Sequence, residues 1–357
     1  MRDVYCDIRF IEELITRQPV IVPFDEKSLN ELRCWSDFCE LLLRSNLHLN
    51  ISDIDLNVLV NQKDKTTSTG MFFKQLQKIL SNGLCDINCD FDSNSLSDSV
   101  PNLNGVYLVC KNRVKSELLS RKFGVLVIPI NNYISYSYLF EDGGTSISVK
   151  DHNYKNWSLL GKIGSNICNS MMIIDNYLLT DEDKMEENIS SILNALLPKQ
   201  IETTFQLSIF TLLYDQRTDH HKNLQKRYDS ILNIIKEIRG NDFKVSLTIF
   251  KCQKYRFTDP KRFHGRVILT NNVFICSDGG YDLFKNGEST KLAVINIVYP
   301  HFSNRISWAS FAFDNYLNEA KEESDGSDTY NNQIDDIPGR FLGDKNLRLW
   351  EFINRQE

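Results

Sequence analysis

Residues 263–284 read FHGRVILTNNVFICSDGGYDLF. Val267, Ile268 and Leu269 have the composition of a buried strand. Asn271 and Asn272 supply turn chemistry, and Val273 to Cys276 return as a second strand. Ser277, Asp278, Gly279 and Gly280 then form a second turn, of the kind at which a backbone approaches a ligand closely. An antiparallel hairpin of this kind restricts the sheet around it. It also gathers an imidazole (His264), a guanidinium (Arg266), a carboxamide (Asn271) and a Gly-Gly turn, which together suit a phosphate group. Two plainer readings stand beside that one. His264 is also what a polar residue satisfied at a strand start looks like, and Gly279-Gly280 is also an ordinary hairpin turn.

The flanks alternate strand and helix. Before the hairpin, 170–179 is an apolar strand, and 186–197 is a helix stopped by Pro198. A strand at 205–214 follows, then a long helix at 219–239 stopped by Gly240, then a strand at 243–250. After the hairpin come a strand at 292–299 and an apolar-faced helix at 307–321. Residues 322–336 are acidic and polar, which predicts a loose tail, and 346–353 carries enough apolar residues to dock back. In the first half, Val4 to Ile15 runs from a short strand into a helix. Residues 27–46 are helical, with Leu29, Leu32, Trp35, Phe38, Cys39 and Leu42 on one stripe and Ser28 as the cap. A strand at 47–54 and a helix at 70–80 follow, and 86–104 reads as a loop. The order strand 106–110, helix 114–121, strand 125–130 predicts a βαβ unit. The polar, glycine-containing stretch 141–156 marks a boundary. The expected fold class is therefore α/β: an N-terminal α/β domain over 1–150, a mixed-sheet domain flanked by helices over 165–322, and an acidic loop with a docking segment over 323–357.

Composition excludes several classes. The net charge of −6 argues against a generally basic, DNA-coating protein, so any nucleic-acid surface must be local. No run approaches the length of a membrane span, and MRDVYCDIRF does not read as a signal peptide. Nine scattered cysteines suit a reducing interior, so a cytoplasmic, intracellular location is expected. Cys85 and Cys89 lack a second pair or a nearby histidine, so no metal site and no cofactor are expected from them.

One local surface does suit nucleic acid. Lys251, Lys254, Arg256, Lys261, Arg262 and Arg266 are interleaved with Tyr255, Phe257 and Phe263. Cations track phosphates, and aromatic faces accept bases. The competing explanation is a solvated loop. A second candidate lies in the first half, where Asp7, Glu12, Glu13, Asp53 and Asp55 stand near strand ends. They loosely resemble the acidic groups with which PIN-like nucleases bind Mg²⁺, and they also match ordinary surface carboxylates.

The hairpin register resembles the phospholipase D superfamily motif: His, any residue, Lys, four residues, Asp, then a Gly-rich turn. His264, Arg266, Asn271 and Gly279-Gly280 stand in that register, with Lys replaced by Arg and Asp by Asn. The sequence is most similar to the phospholipase-D-like domain that follows MIT domains and to its bacterial relatives, whose Gly-rich ending Gly280-Tyr281-Asp282-Leu283-Phe284 resembles. Gly265 departs from that pattern, in which an Asp follows the His. The resemblance covers 165–322.

It implies His264, Arg266 and Asn271 as catalytic residues, and Lys261, Arg262, Gly279 and Gly280 as phosphate ligands. Lys251, Lys254, Tyr255 and Arg256 would be nucleic-acid contacts. Asp175 matches a carboxylate of the related domains or serves as a turn former. In catalytic members one His attacks phosphorus and a second protonates the leaving oxygen. A chain with one motif therefore implies a homodimer, or a subunit of a larger complex, and the bacterial relatives imply a nuclease effector of microbial anti-phage defence. Asn271 cannot supply the charge of Asp, which favours the alternative of a non-catalytic phosphate, nucleic-acid or protein-binding module.

Overall fold

The computed structural model describes residues 2–20, 22, 23, 25–49, 72, 74, 75, 85, 86, 96, 99–140, 144–149, 154–163, 167–211, 220–251, 266–300, 302, 308–325 and 341–353. The protein is mixed α/β and divides into two compact units, 1–142 with 301–306, and 143–300 with 307–357. No helix among the described residues is long and apolar enough to cross a membrane.

The first unit is built on a fully parallel sheet. Its strands are β1 (Asp3–Cys6), β2 (Asn46–Leu49), β3 (Cys85–Asp86), β4 (Val106–Val109) and β5 (Leu126–Pro129), in the order β3-β2-β1-β4-β5. Strands β1, β4 and β5 are buried along their whole length, as expected of parallel strands covered on both faces. Helix α1 (Ile8–Thr16) buries Phe10, Ile11, Leu14 and Ile15 as one stripe. Helix α2 (Glu26–Arg44) is capped by Asp25, whose carboxylate accepts from the Lys27 and Ser28 amides. The expected cap, Ser28, instead sits in the first turn and donates its hydroxyl to the Asp25 carbonyl. Helix α3 (Arg113–Phe123) starts at the Asn112 cap and ends at Gly124. A 3₁₀ segment, Ile130–Phe140, follows β5 without a signal in the sequence pattern.

The second unit carries an eight-stranded mixed sheet. In chain order its strands are β6 (Thr145–Ser148), β7 (Ser170–Asp175), β8 (Phe205–Thr211), β9 (Val245–Lys251), β10 (Arg266–Thr270), β11 (Phe274–Ser277), β14 (Val294–Val298) and β15 (Phe341–Leu342). A separate two-stranded ribbon, β12 (Phe284–Lys285) and β13 (Glu288–Ser289), stands beside it. Across the sheet the order is β15-β9-β8-β7-β10-β11-β14-β6. Strands β7, β8 and β9 are parallel and joined through α4 (Glu182–Leu196) and α5 (His220–Arg239). The expected hairpin is β10 and β11, antiparallel to each other, with β10 also antiparallel to β7.

Strand periodicity sorts the side chains onto two faces. Met171, Ile173, Leu207, Ile209, Ile249, Ile268 and Ile275 pack with Ile189, Ile192, Leu193, Ile231 and Ile235 of α4 and α5. Met172, Ile174, Phe210, Phe250, Val267, Leu269 and Phe274 pack instead with Phe313, Tyr316 and Leu317 of α6 (Trp308–Asp325), and with Leu349, Trp350 and Phe352 of the final 3₁₀ turn (Arg348–Phe352). The docking segment thus completes one layer of the unit.

Three expectations change here. Residues 143–149 belong to the second unit, because β6 pairs with β14. Helix α6 runs on to Asp325, into the stretch expected to be loose. Strand β7 ends at Asp175, and 176–181 turn back toward α4. The expected strand beyond Leu49, most of the 70–80 helix and most of the 86–104 loop lie outside the described residues.

Candidate phosphate site at the carboxyl edge of the mixed sheet

Parallel strands with crossover helices bring all their carboxyl ends to one edge of a sheet, where ligands of open α/β folds bind. In the second unit that edge gathers polar residues. The ladder pairs Arg266 of β10 with Asp175 of β7, and Thr211 of β8 with Lys251 of β9. The parallel register joining Ile174 to Phe210 carries Thr211 alongside Asp175. The antiparallel register joining Val267 to Cys276 likewise carries Ser277 of β11 alongside Arg266. One cross-strand row therefore reads Lys251, Thr211, Asp175, Arg266, Ser277. By the two-residue alternation, all five lie on the face covered by α4 and α5.

Asp175 is the centre of the row and is fully buried. One carboxylate oxygen accepts from the Tyr177 amide at 2.7 Å and the Leu178 amide at 3.1 Å; the other accepts from the Tyr281 amide at 2.7 Å. Burial pushes its pKa up to about 6, the Tyr177 and Tyr281 amides pull it back, Asp282 raises it and Arg266 lowers it. Its ladder partner on the neighbouring strand is the Arg266 cation. Arg266 is partly exposed, and its Nη1 donates to the Asp278 carbonyl at 2.5 Å.

Gly280 locks the turn over this pair. Its φ is +86°, and a Cβ there would lie 3.0 Å from Asp282 Oδ1, 3.4 Å from Asp175 Oδ2 and 3.5 Å from Arg266 Nε. Only glycine meets both demands without strain. Gly279 is pressed against Ala293, where a Cβ would come within 2.6 Å of the alanine methyl. Asp282 is held by Lys291 Nζ at 3.1 Å and by Lys184 Nζ at 3.9 Å. The corner therefore holds guanidinium, ammonium and carboxylate groups against a glycine turn.

Asn271 does not join Arg266. It follows β10 at the opposite end, and five residues of extended chain span roughly 16 Å. Its carboxamide oxygen accepts from the Asn169 amide at 3.1 Å and the Ser170 amide at 2.9 Å, and the residue is buried. It is a clamp at the start of β7, and the expectation that it shares a site with Arg266 is corrected. Gly280 does adjoin Arg266, whereas Gly279 packs against Ala293, and Lys251 ends β9 in the same row. His264, Lys261, Arg262, Lys254, Tyr255 and Arg256 lie outside the described residues.

Thr211 and Tyr177 were not singled out by sequence pattern. Thr211 is fully buried, and its hydroxyl has no hydrogen-bond partner among the described residues. Tyr177, by contrast, is 47% exposed. A buried hydroxyl without a partner costs stability. Thr211→Val is therefore expected to stabilise the free protein by about 1 kcal/mol. Thermal denaturation checks this, and a clear drop in midpoint would show that the hydroxyl is already bonded.

In the first unit, the order of strands reverses between β1 and β4, and Asp7 stands at the carboxyl end of β1. Its carboxylate accepts from the Cys110 amide at 3.4 Å. Burial, then Asp7 and Glu13, push the Cys110 thiol up to about 12, which disfavours the thiolate. Glu13 is taken by Arg17 at 2.6 Å. Among the described residues, no group of three or more His, Cys, Asp or Glu is arranged to hold a metal ion; Asp53 and Asp55 lie outside them. The cavity of about 780 Å³ lined by Glu186, Glu187, Ser190 and Asn194 includes no residue of the row.

No family model matches the chain, and neither a curated protein nor a solved structure matches it.

Proposed function

We propose that the second unit recognises phosphodiesters of nucleic acid, with Arg266 as its anchoring cation. The observation that carries this reading is the row at the carboxyl edge, where Arg266 stands partly exposed beside a buried carboxylate and a glycine turn, with Lys251 three strands along the same row. A planar guanidinium tethered through Nη1 to the Asp278 carbonyl keeps further donors, of the fork geometry that matches two phosphate oxygens. The run of cations and aromatics at 251–266 continues from β9 toward Arg266 in the sequence and adds charge for a polyanion.

The similarity to phospholipase-D-like domains supports a catalytic form of this reading. His264 would attack phosphorus, a second copy of the chain would supply the other imidazole, and the setting would be a microbial defence nuclease. The engagement of Asn271 with the start of β7 favours the binding form, because the expected catalytic group is missing its third member.

Labelled RNA and DNA incubated with the purified protein separate the two. Binding should fall by at least ten-fold in Arg266→Ala with Lys261→Ala, and the salt dependence should flatten by about one phosphate contact per cation removed. Cleavage lost in His264→Ala would favour catalysis. Unchanged binding in the double variant would defeat the proposal. A second reading, metal-dependent cleavage by the first unit, rests on Asp7 at the strand-order reversal. Cleavage abolished by EDTA would favour it.

A further inference from the structure

We propose that Tyr177 is a base-stacking platform, and that the nucleic acid taken by this site is single-stranded. This rests on the phosphodiester reading of Arg266 and goes further, to the class of strand and the residue that selects it.

Tyr177 opens the turn that follows β7, two residues after Asp175. Its backbone is fixed on both sides. The amide donates to Asp175 Oδ1 at 2.7 Å, and the carbonyl accepts from the Thr180 amide at 3.0 Å and the Thr180 hydroxyl at 2.7 Å. The neighbouring residues of the turn, Asn176, Leu178 and Leu179, are buried, whereas Tyr177 is 47% exposed. A hydrogen-bonded turn thus carries an exposed tyrosine at the sheet edge to which Arg266 also belongs.

The same carboxylate orders both features. Asp175 accepts from the Tyr177 amide with one oxygen and from the Tyr281 amide with the other, and it sits across the ladder from Arg266. The turn that carries Tyr177 and the glycine turn beside Arg266 are therefore tied to one buried group. The buried Thr211 hydroxyl, without a partner in the adjacent strand, adds a further unmet polar group to the same row. An exposed aromatic residue on the same sheet edge as a phosphate anchor suits an unpaired base, since every base offers a π-face. A duplex keeps its bases stacked inside, and a free phosphate or a lipid headgroup brings no base to stack.

The full-length chain is tested by fluorescence anisotropy with two labelled probes of equal length and charge, a 12-nucleotide oligothymidine and the same backbone made of abasic residues. The wild type is expected to bind the base-bearing strand about ten-fold more tightly, within the range that one stacked base supplies. Tyr177→Ala should abolish that advantage without changing affinity for the abasic strand, and Tyr177→Phe should keep it. Arg266→Ala should weaken both probes.

Equal binding of the two probes by the wild type, or an advantage that survives Tyr177→Ala, overturns the stacking role. In that event loss of both probes in Arg266→Ala would still uphold the phosphate site. Failure of the wild type to bind either probe overturns the phosphodiester reading itself. The Tyr177 side chain is half exposed and its anchoring is through the backbone, so neither variant threatens the fold.

Discussion

Asp175→Ala is expected to destabilise the second unit by about 3–5 kcal/mol, the range for removing one partner of a buried charged network. Three amides lose their acceptor at once: Tyr177, Leu178 and Tyr281. Each buried donor left unpaired costs about 1–3 kcal/mol, and Arg266 loses the carboxylate of its ladder partner. Relief of the carboxylate's own burial offsets part of this.

That burial has a signature in pH. A folded-state pKa of about 6, against an ordinary 3.8, means that the folded chain holds a proton the unfolded chain has released between these values. Stability therefore falls as pH rises from about 4 to 6 and is level in this contribution above 6, a change on the order of 3 kcal/mol from this group. Urea unfolding at pH 4 and pH 7 measures it, and Asp175→Asn should remove that part of the difference. Asparagine still weakens the turn, because its amide group opposes one of the donors. An unfolding midpoint in Asp175→Ala equal to that of the wild type would show that the carboxylate does not carry the turn.

Truncation after residue 340 is expected to prevent the second unit from folding. Phe341, Leu347, Leu349, Trp350 and Phe352 are all buried in the layer with α6. At about 1.5–3 kcal/mol for each large side chain, their loss amounts to on the order of 10 kcal/mol. That is comparable with the whole stability of a domain, about 5–15 kcal/mol. Polar links go with them: Arg348 donates to the Asn169 carbonyl at 3.0 Å and to its side-chain oxygen at 2.6 Å, and Thr248 donates to the Asp344 carbonyl at 2.8 Å. Circular dichroism and limited proteolysis read the result. A truncated chain that melts cooperatively at the original temperature would refute it.

Much of the fold was written in local pattern. The alternation of apolar runs and amphipathic helices gave the βαβ order, and the Asn271-Asn272 turn gave the β10–β11 hairpin. What pattern missed was short or shared. Strand β6 is TSIS, mostly exposed, and exists through its pairing with β14. The Asp25 cap escaped notice because Ser28 is an equally good capping type three residues on. The row of Lys251, Thr211, Asp175, Arg266 and Ser277 was invisible for a different reason. It depends on which strands lie side by side, and residues from five strands have no common period along the chain. Motif spacing also misled at Asn271, since a fixed interval along an extended strand separates two side chains as firmly as it relates them.

Strand β15 and the closing turn have a consequence for how the unit is made. Arg348 reaches back 179 positions to Asn169, and Phe341 pairs with Phe250 at the sheet's rim. During synthesis the strands from 170 to 298 leave the ribosome with one layer still bare. Until residues 341–353 emerge, Met172, Phe210 and Phe274 lack part of their cover, and transiently exposed apolar surface of this kind favours aggregation.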